Sequence, residues 1–387
     1  MPESLQLYRT ISGLLLNARV RFHDIRCQAT FLWAVTGLIM EQGIHLGQWS
    51  KYRPGFTKQA SRERRFSRWM HNHRINVFDL YPRLFRYALR DLVGTDIYLA
   101  LDTSQLFDRF ILIRVALVYR GRAIPVCWSI ITGESSTIEY DKYWYVLWRA
   151  QTILFEYRRC TLLADRGFVD QKLFALLRDF GWHWRIRLKD SILVQRPGKE
   201  AIRLSRLLPA KGQALFLRKI WLTKHCFGPV HLALAQIQTA KGVQKWAIVS
   251  DEPTDLNTFD EYGLRFDIEE NFLDDKSGGF QLESSELFDS QALVRLGMIM
   301  ATATLYLVST GLAVVSRNLR PLVDAHWKRG LSYFQIGWRW IKFALTNSLT
   351  LFDFLAFDPR PDPHRVIASK RFDKPRFSID AYSTQVA

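Results

Sequence analysis

The segment LGMIMATATLYLVSTGLAVVS, Leu296 to Ser316, carries no charge at all. A helix of that length and character has two homes: the hydrocarbon of a bilayer, or the interior of a protein large enough to wrap it on every side. Thr302, Thr304, Ser309 and Thr310 dilute its apolar surface, and a chain of 387 residues can bury a substantial core. The segment therefore predicts a central buried helix with the other elements arranged around it, and no membrane span. Hydrophobic residues at 48% and aromatics at 14% supply material for that core. The amino terminus, MPESLQLYRTISG, lacks the basic-then-apolar pattern of a secretory signal.

Charge narrows the partners. Lys plus Arg number 54 against 37 Asp plus Glu, a formal net charge of +17. Such a field attracts polyanions, nucleic acid first among them. Cys27, Cys127, Cys160 and Cys226 lie far apart with no CxxC or Cys/His ligand spacing, so neither a disulfide framework nor a structural zinc site is indicated, and a reducing cytosol fits best. His71 and His73 have a metal-like spacing but no third ligand nearby, and no glycine-rich phosphate loop suggests ATP.

Residues 1–90 read as helical, with a basic cluster, SRERRFSRWMHNHR, in which Arg62, Arg64, Arg65 and Arg68 can line a helix against phosphates. From Asp96 the texture changes. DIYLALD, FILIRVALVY and AIPVCWSIIT predict three strands; a long helix, the strand RCTLLAD, the helix QKLFALLRDFG and the strand WHWRIRL follow. The result is an α/β sheet with Asp102 and Asp165 at the carboxyl ends of buried strands, where sites of open α/β sheets form. Residues 190–258 alternate as strands between Gly and Pro turns and predict an all-β insertion. Helices return from 259 to 357, and the Pro-rich charged tail, 358–387, predicts extended or disordered chain.

One helix concentrates charge: YGLRFDIEENFLDDK, Tyr262 to Lys276. Advancing about 100° per residue puts Arg265, Glu269 and Lys276 on one stripe with Phe266 and Leu273. The same count turns Asp267, Asp274 and Asp275 toward solvent and leaves Glu270 at the edge. The SGG that follows reads as a helix stop. A charge on a buried face is costly unless paired or bound to metal. An Arg265 to Glu269 pair at i, i+4 is one answer. Convergence of Glu269 with Asp102 and Asp165 on Mg²⁺ or Mn²⁺ is the other, since three carboxylates make a hard, oxygen-rich pocket.

Tyr, two residues, Arg, three residues, Glu, six residues, Lys is the signature of one branch of the bacterial insertion-sequence DDE transposases, and Tyr262, Arg265, Glu269 and Lys276 fit it. LALDTS around Asp102 and LLADRGF around Asp165 resemble the first two acidic motifs of the same family. The resemblance implies an RNase H-like catalytic domain interrupted by a β insertion. Its boundaries here are 91–189, 190–258 and 259–320, between a helical DNA-binding region, 1–90, and a helical C-terminal region, 321–357. It further implies that Asp102, Asp165 and Glu269 bind two divalent ions, Mg²⁺ or Mn²⁺, and that Tyr262, Arg265 and Lys276 contact phosphates. Trp246, with Trp221 as second candidate, would stack a flipped base at a DNA hairpin.

The implied function is a cut-and-paste transposase that binds terminal inverted repeats as a homodimer in a synaptic complex, cleaves the ends and joins 3′-hydroxyls to target DNA in the bacterial cytoplasm. Two alternatives keep the fold: a nuclease or resolvase without strand transfer, and a DNA-binding derivative with an idle site.

Overall fold

Strand FILIRVALVY is apolar at nearly every position, so it can be stable only with both faces covered. The computed structural model, which describes residues 2–133, 138–223, 227–239, 242–276, 278–363, 379 and 381–386, shows it covered in that way. Strands β1 (Asp96–Leu106), β2 (Phe110–Tyr119) and β3 (Arg122–Thr132) form an antiparallel meander. Helix α6 (Trp144–Leu154), strand β4 (Arg159–Ala164), helix α7 (Gln171–Asp179) and strand β5 (His183–Arg187) follow, with β4 parallel to β1 and β5 parallel to β4. The order across this part is β3-β2-β1-β4-β5.

The predicted β insertion does not stand apart from this sheet. Strands β6 (Leu193–Gln195), β7 (Ile202–Arg203), β8 (Gln213–Leu222), β9 (Phe227–Thr239) and β10 (Gly242–Ser250) continue it, because β10 pairs antiparallel with β5. The tail also returns. Residues Ala381–Val386 add strand β11 parallel to β8, while Asp358 and Asp362 are tied to the β2–β3 turn and to Arg329 and Tyr333. Of the tail, 364–378 lies outside the described residues.

Five helices precede the sheet: α1 (Glu3–Asn17), α2 (Ile25–Glu41), α3 (Leu46–Tyr52), α4 (Gln59–Met70) and α5 (Val77–Ala88). After β10 come α8 (Asn257–Gly263), a 3₁₀ turn over Leu264–Phe266, α9 (Asp267–Asp275), α10 (Ser290–Ser316) and α11 (Tyr333–Thr346). Helix α10 contains the uncharged segment, and its surface is taken up by α11, α2, α4, α5 and β3. Its one guanidinium, Arg295, reaches the carbonyls of Met70, the last residue of α4, and of Ile75 beyond it. The N-terminal helices thus share a core with the C-terminal ones.

Glycine sets how closely α10 and α11 approach. A Cβ at Gly311 would lie 1.9 Å from the Tyr333 carbonyl oxygen, and one at Gly337 would lie 1.8 Å from that of Leu307. On the sheet, α9 covers the face carrying Asp102 and Arg114. Helix α6 covers the other face: its Tyr145 hydrogen-bonds Ser129, which pairs with Ile113, the neighbour of Arg114.

Candidate active site

The register of β1 and β4 brings two of the three expected carboxylates side by side. Leu101 pairs with Ala164 in parallel, so Asp102 and Asp165 are the next residues on adjacent strands and share one level of the sheet. Asp165 directly follows the carboxyl end of β4 and takes the N-cap position of a 3₁₀ turn, as expected of a strand-end residue. Asp102 differs from expectation: β1 runs on to Leu106, held by β2, so Asp102 sits within a strand that outlasts its parallel neighbour.

The third carboxylate arrives on α9. Arg265 Nη1 donates to Asp102 Oδ2 at 2.8 Å and its Nη2 to Glu269 Oε1 at 2.8 Å. One guanidinium, only 6% exposed, therefore joins both readings of the charged helix: it makes the i, i+4 pair and also draws Glu269 toward Asp102. Burial alone would lower the Arg265 pKa; Tyr262, Asp102, Glu269 and Asp165 outweigh it and hold the charge more firmly than usual. Burial pushes Asp102 up to about 6, against Arg265 and the Thr103 amide, and the Glu269 and Asp165 charges add to the rise. Asp102 thus feels the charges of both other carboxylates, and Arg265 feels all three.

Lys276 Nζ donates to the Gln105 carbonyl at 2.6 Å and pairs with Glu283 at 3.3 Å, placing its ammonium beside the end of β1. Tyr262 is wholly buried, with its ring edge-on to Trp246 at 5.1 Å. Burial pushes its hydroxyl up to about 12 against Arg265, with Asp165 adding to the rise. The SGG stop behaves as expected at its glycines: Gly278 N and Phe280 N close on the Leu273 and Asp274 carbonyls.

The solvent-facing assignment is overturned. Asp267, Asp274 and Asp275 are buried, whereas Glu269 and Leu273 are exposed. Asp275 pairs with Arg114 at 2.5 Å, Arg114 also donates to Asn271, and Arg122 takes Asp274 at 3.1 Å and Glu270 at 2.8 Å. Two physical causes explain the reversal. The 3₁₀ turn over Leu264–Phe266 breaks the phase of a uniform 100° count. The cations that make burial tolerable stand on β2 and β3, far off in sequence. One signal was available: a lone arginine inside FILIRVALVY must find an acid.

The tryptophan expectation divides. Trp246 is fully buried among Tyr262, Phe259 and Phe216, so its ring offers no open face to a base. Trp221 on β8 is half-buried, with Gly228 close against its indole. On α4, Arg64, Arg65 and Arg68 are exposed opposite the buried Phe66, Trp69 and Met70, and Arg62 turns back to the Arg53 carbonyl at 2.9 Å.

Among the described residues, one group of three ligand-type side chains holds its donor atoms within 4.8 Å of one another: His183, Asp251 and Glu252. It lies toward the opposite ends of β4 and β5, where Thr161 pairs with His183. Arg185 and Arg159 already answer its carboxylates. Asp102, Asp165 and Glu269 stand further apart, around Arg265. Their donor chemistry nevertheless fits a divalent cation: carboxylate oxygens that only accept when ionised, an Asp102 whose charge is held in a buried position, and a half-exposed Glu269.

No protein-family model and no curated protein sequence matches the chain. Among solved structures it is similar to piggyBac transposase in a cryo-EM structure of its synaptic complex with hairpin DNA, at 12% identity and a TM-score of 0.44 over 90% of this chain and 81% of that one. A superposition that loose decides neither fold nor activity.

Proposed function

We propose that the chain is a DDE transposase with an RNase H-like catalytic domain, cutting and joining DNA at Asp102, Asp165 and Glu269. One observation carries the reading: two aspartates share a level on adjacent parallel strands, and Arg265 links the first of them to the glutamate four residues beyond it. The succession of three strands, helix, strand, helix and strand supports the same domain.

In this reading the carboxylates hold two Mg²⁺ or Mn²⁺ ions, which when bound supply Lewis acidity for activating a water or 3′-hydroxyl and stabilising the leaving oxygen at phosphorus. Arg265, Lys276 and Tyr262 orient the scissile phosphate and offset charge that develops on it. Arg64, Arg65 and Arg68 hold flanking duplex on terminal inverted repeats, and Trp221 is the residue for a flipped base should cleavage pass through a hairpin. The synaptic assembly is a homodimer. An RNase H-like enzyme does this work in the bacterial cytoplasm on nucleoid DNA.

The test incubates purified protein and Mg²⁺ with a plasmid carrying the inverted repeats that flank the coding region. Nicked, hairpinned or joined product from wild type and none from Glu269→Ala, at equal DNA binding, supports the reading. Absence of product from wild type that binds the ends, or undiminished product from Glu269→Ala, removes it.

A further inference from the structure

The loop between α10 and α11 holds a tryptophan almost completely in water. Trp327 is 95% exposed, which leaves its indole free to meet a planar ligand. The exposure is built into the loop. The Asp324 carboxylate, fully buried, accepts from the amides of His326 and Gly330 and pairs with Arg320 at 3.2 Å. Arg320 in turn donates to the His326 and Trp327 carbonyls at 2.8 and 3.1 Å. Just beyond, Arg329 is buried, pairs with Asp362 at 2.7 Å and lies over the Tyr333 ring. Backbone on both sides of Trp327 is therefore fixed while its indole projects.

The tip borders a recess of about 510 Å³ lined by Val315, Pro321, Pro363, Arg320, Lys328 and Trp327, among others. The surroundings are basic. From Arg317 to Asp353 the chain carries Arg317, Arg320, Lys328, Arg329, Arg339 and Lys342 against two acids, the buried Asp324 and the exposed Asp353. Arg317, Lys328, Arg339 and Lys342 are exposed, and Arg339 reaches the Val323 carbonyl at the root of the loop.

We infer that this loop is a second nucleic-acid site, in which Trp327 stacks an unpaired DNA base and Lys328, with the neighbouring arginines, holds the adjoining phosphates. An indole open on both faces suits a base outside the helical stack, because every base presents a π-face. The excess of exposed Lys and Arg over acid in this stretch favours a polyanion over an ordinary protein surface. The inference rests on the DNA-transacting reading above but uses none of its catalytic residues.

Binding of a labelled single-stranded oligonucleotide and of the same sequence as duplex is measured by fluorescence anisotropy, with full-length protein in EDTA. Trp327→Ala should weaken single-strand binding by about 5- to 160-fold, the range for loss of one stacked base, with little change for duplex; Trp327→Phe should recover most of it. Lys328→Gln should lower the salt slope on single strands by about 0.7. Unchanged single-strand affinity in Trp327→Ala overturns the inference and leaves the catalytic reading intact, as does loss of self-association without loss of DNA affinity. If wild type binds neither DNA, both fall. Because the indole touches solvent, the variants test binding rather than folding.

Discussion

Replacing Asp102 by Asn should stabilise the folded chain at neutral pH and, on the proposed function, abolish DNA cleavage. The carboxyl group ordinarily titrates at 3.8, and here burial, against Arg265, raises it to about 6. Between those values the folded state holds the proton more tightly than the unfolded chain does. Stability from the protonated group is thus fully present below about pH 4 and lost as pH rises through 6. A shift of about 2 units at 1.36 kcal/mol each makes the ionised form cost about 3 kcal/mol at pH 8, which the amide avoids. With an unfolding entropy of about 2.1 cal/mol/K per residue over the chain, that is a gain of about 4 °C in Tm. Thermal unfolding of both proteins without divalent cation should show this gap at pH 8 and less than about 1 kcal/mol near pH 4. Asp274, raised to about 7 chiefly by burial, is common to both proteins and cancels in the difference. Added Mg²⁺ should raise wild type toward the variant. A variant less stable than wild type at pH 8, or a gap independent of pH, would refute the argument that burial makes the ionised Asp102 costly despite Arg265.

Other outcomes follow from the same geometry. Arg114→Met leaves Asp275 buried without its cation and should cost about 3–5 kcal/mol in denaturant unfolding, most of it recovered in Arg114→Met with Asp275→Leu. Gly337→Ala must push α11 off the Leu307 carbonyl and should destabilise by about 3 kcal/mol or leave the protein insoluble, read by Tm and soluble yield. Replacing Arg64, Arg65 and Arg68 by Gln should flatten the salt dependence of duplex binding by about 2.7 in log–log slope, if each contacts one phosphate.

What the sequence disclosed were features carried by local pattern. The uncharged run gave a core helix, the alternation of apolar runs gave the strands, and the ends of RCTLLAD and the Arg265 to Glu269 spacing pointed to the residues that meet. Partners distant along the chain were hidden. The angular count sent Asp274 and Asp275 to water because Arg122 and Arg114 stand on other elements, more than a hundred residues away. Trp246 looked available because alternation along β10 does not reveal that α8 lies across it, with Phe259 and Tyr262 against its ring. That the insertion's strands would extend the main sheet was hidden, because strand pairing between β10 and β5 leaves no mark in either strand.

The central claim, that Asp102, Asp165 and Glu269 form one two-cation site, is tested most directly by counting Mn²⁺ bound to the DNA complex by electron paramagnetic resonance. Two ions per chain are expected for wild type, fewer for Asp165→Asn and Glu269→Gln, and two again for Glu270→Gln and His183→Ala. Undiminished Mn²⁺ in Glu269→Gln, or loss of Mn²⁺ in His183→Ala alone, would contradict the account.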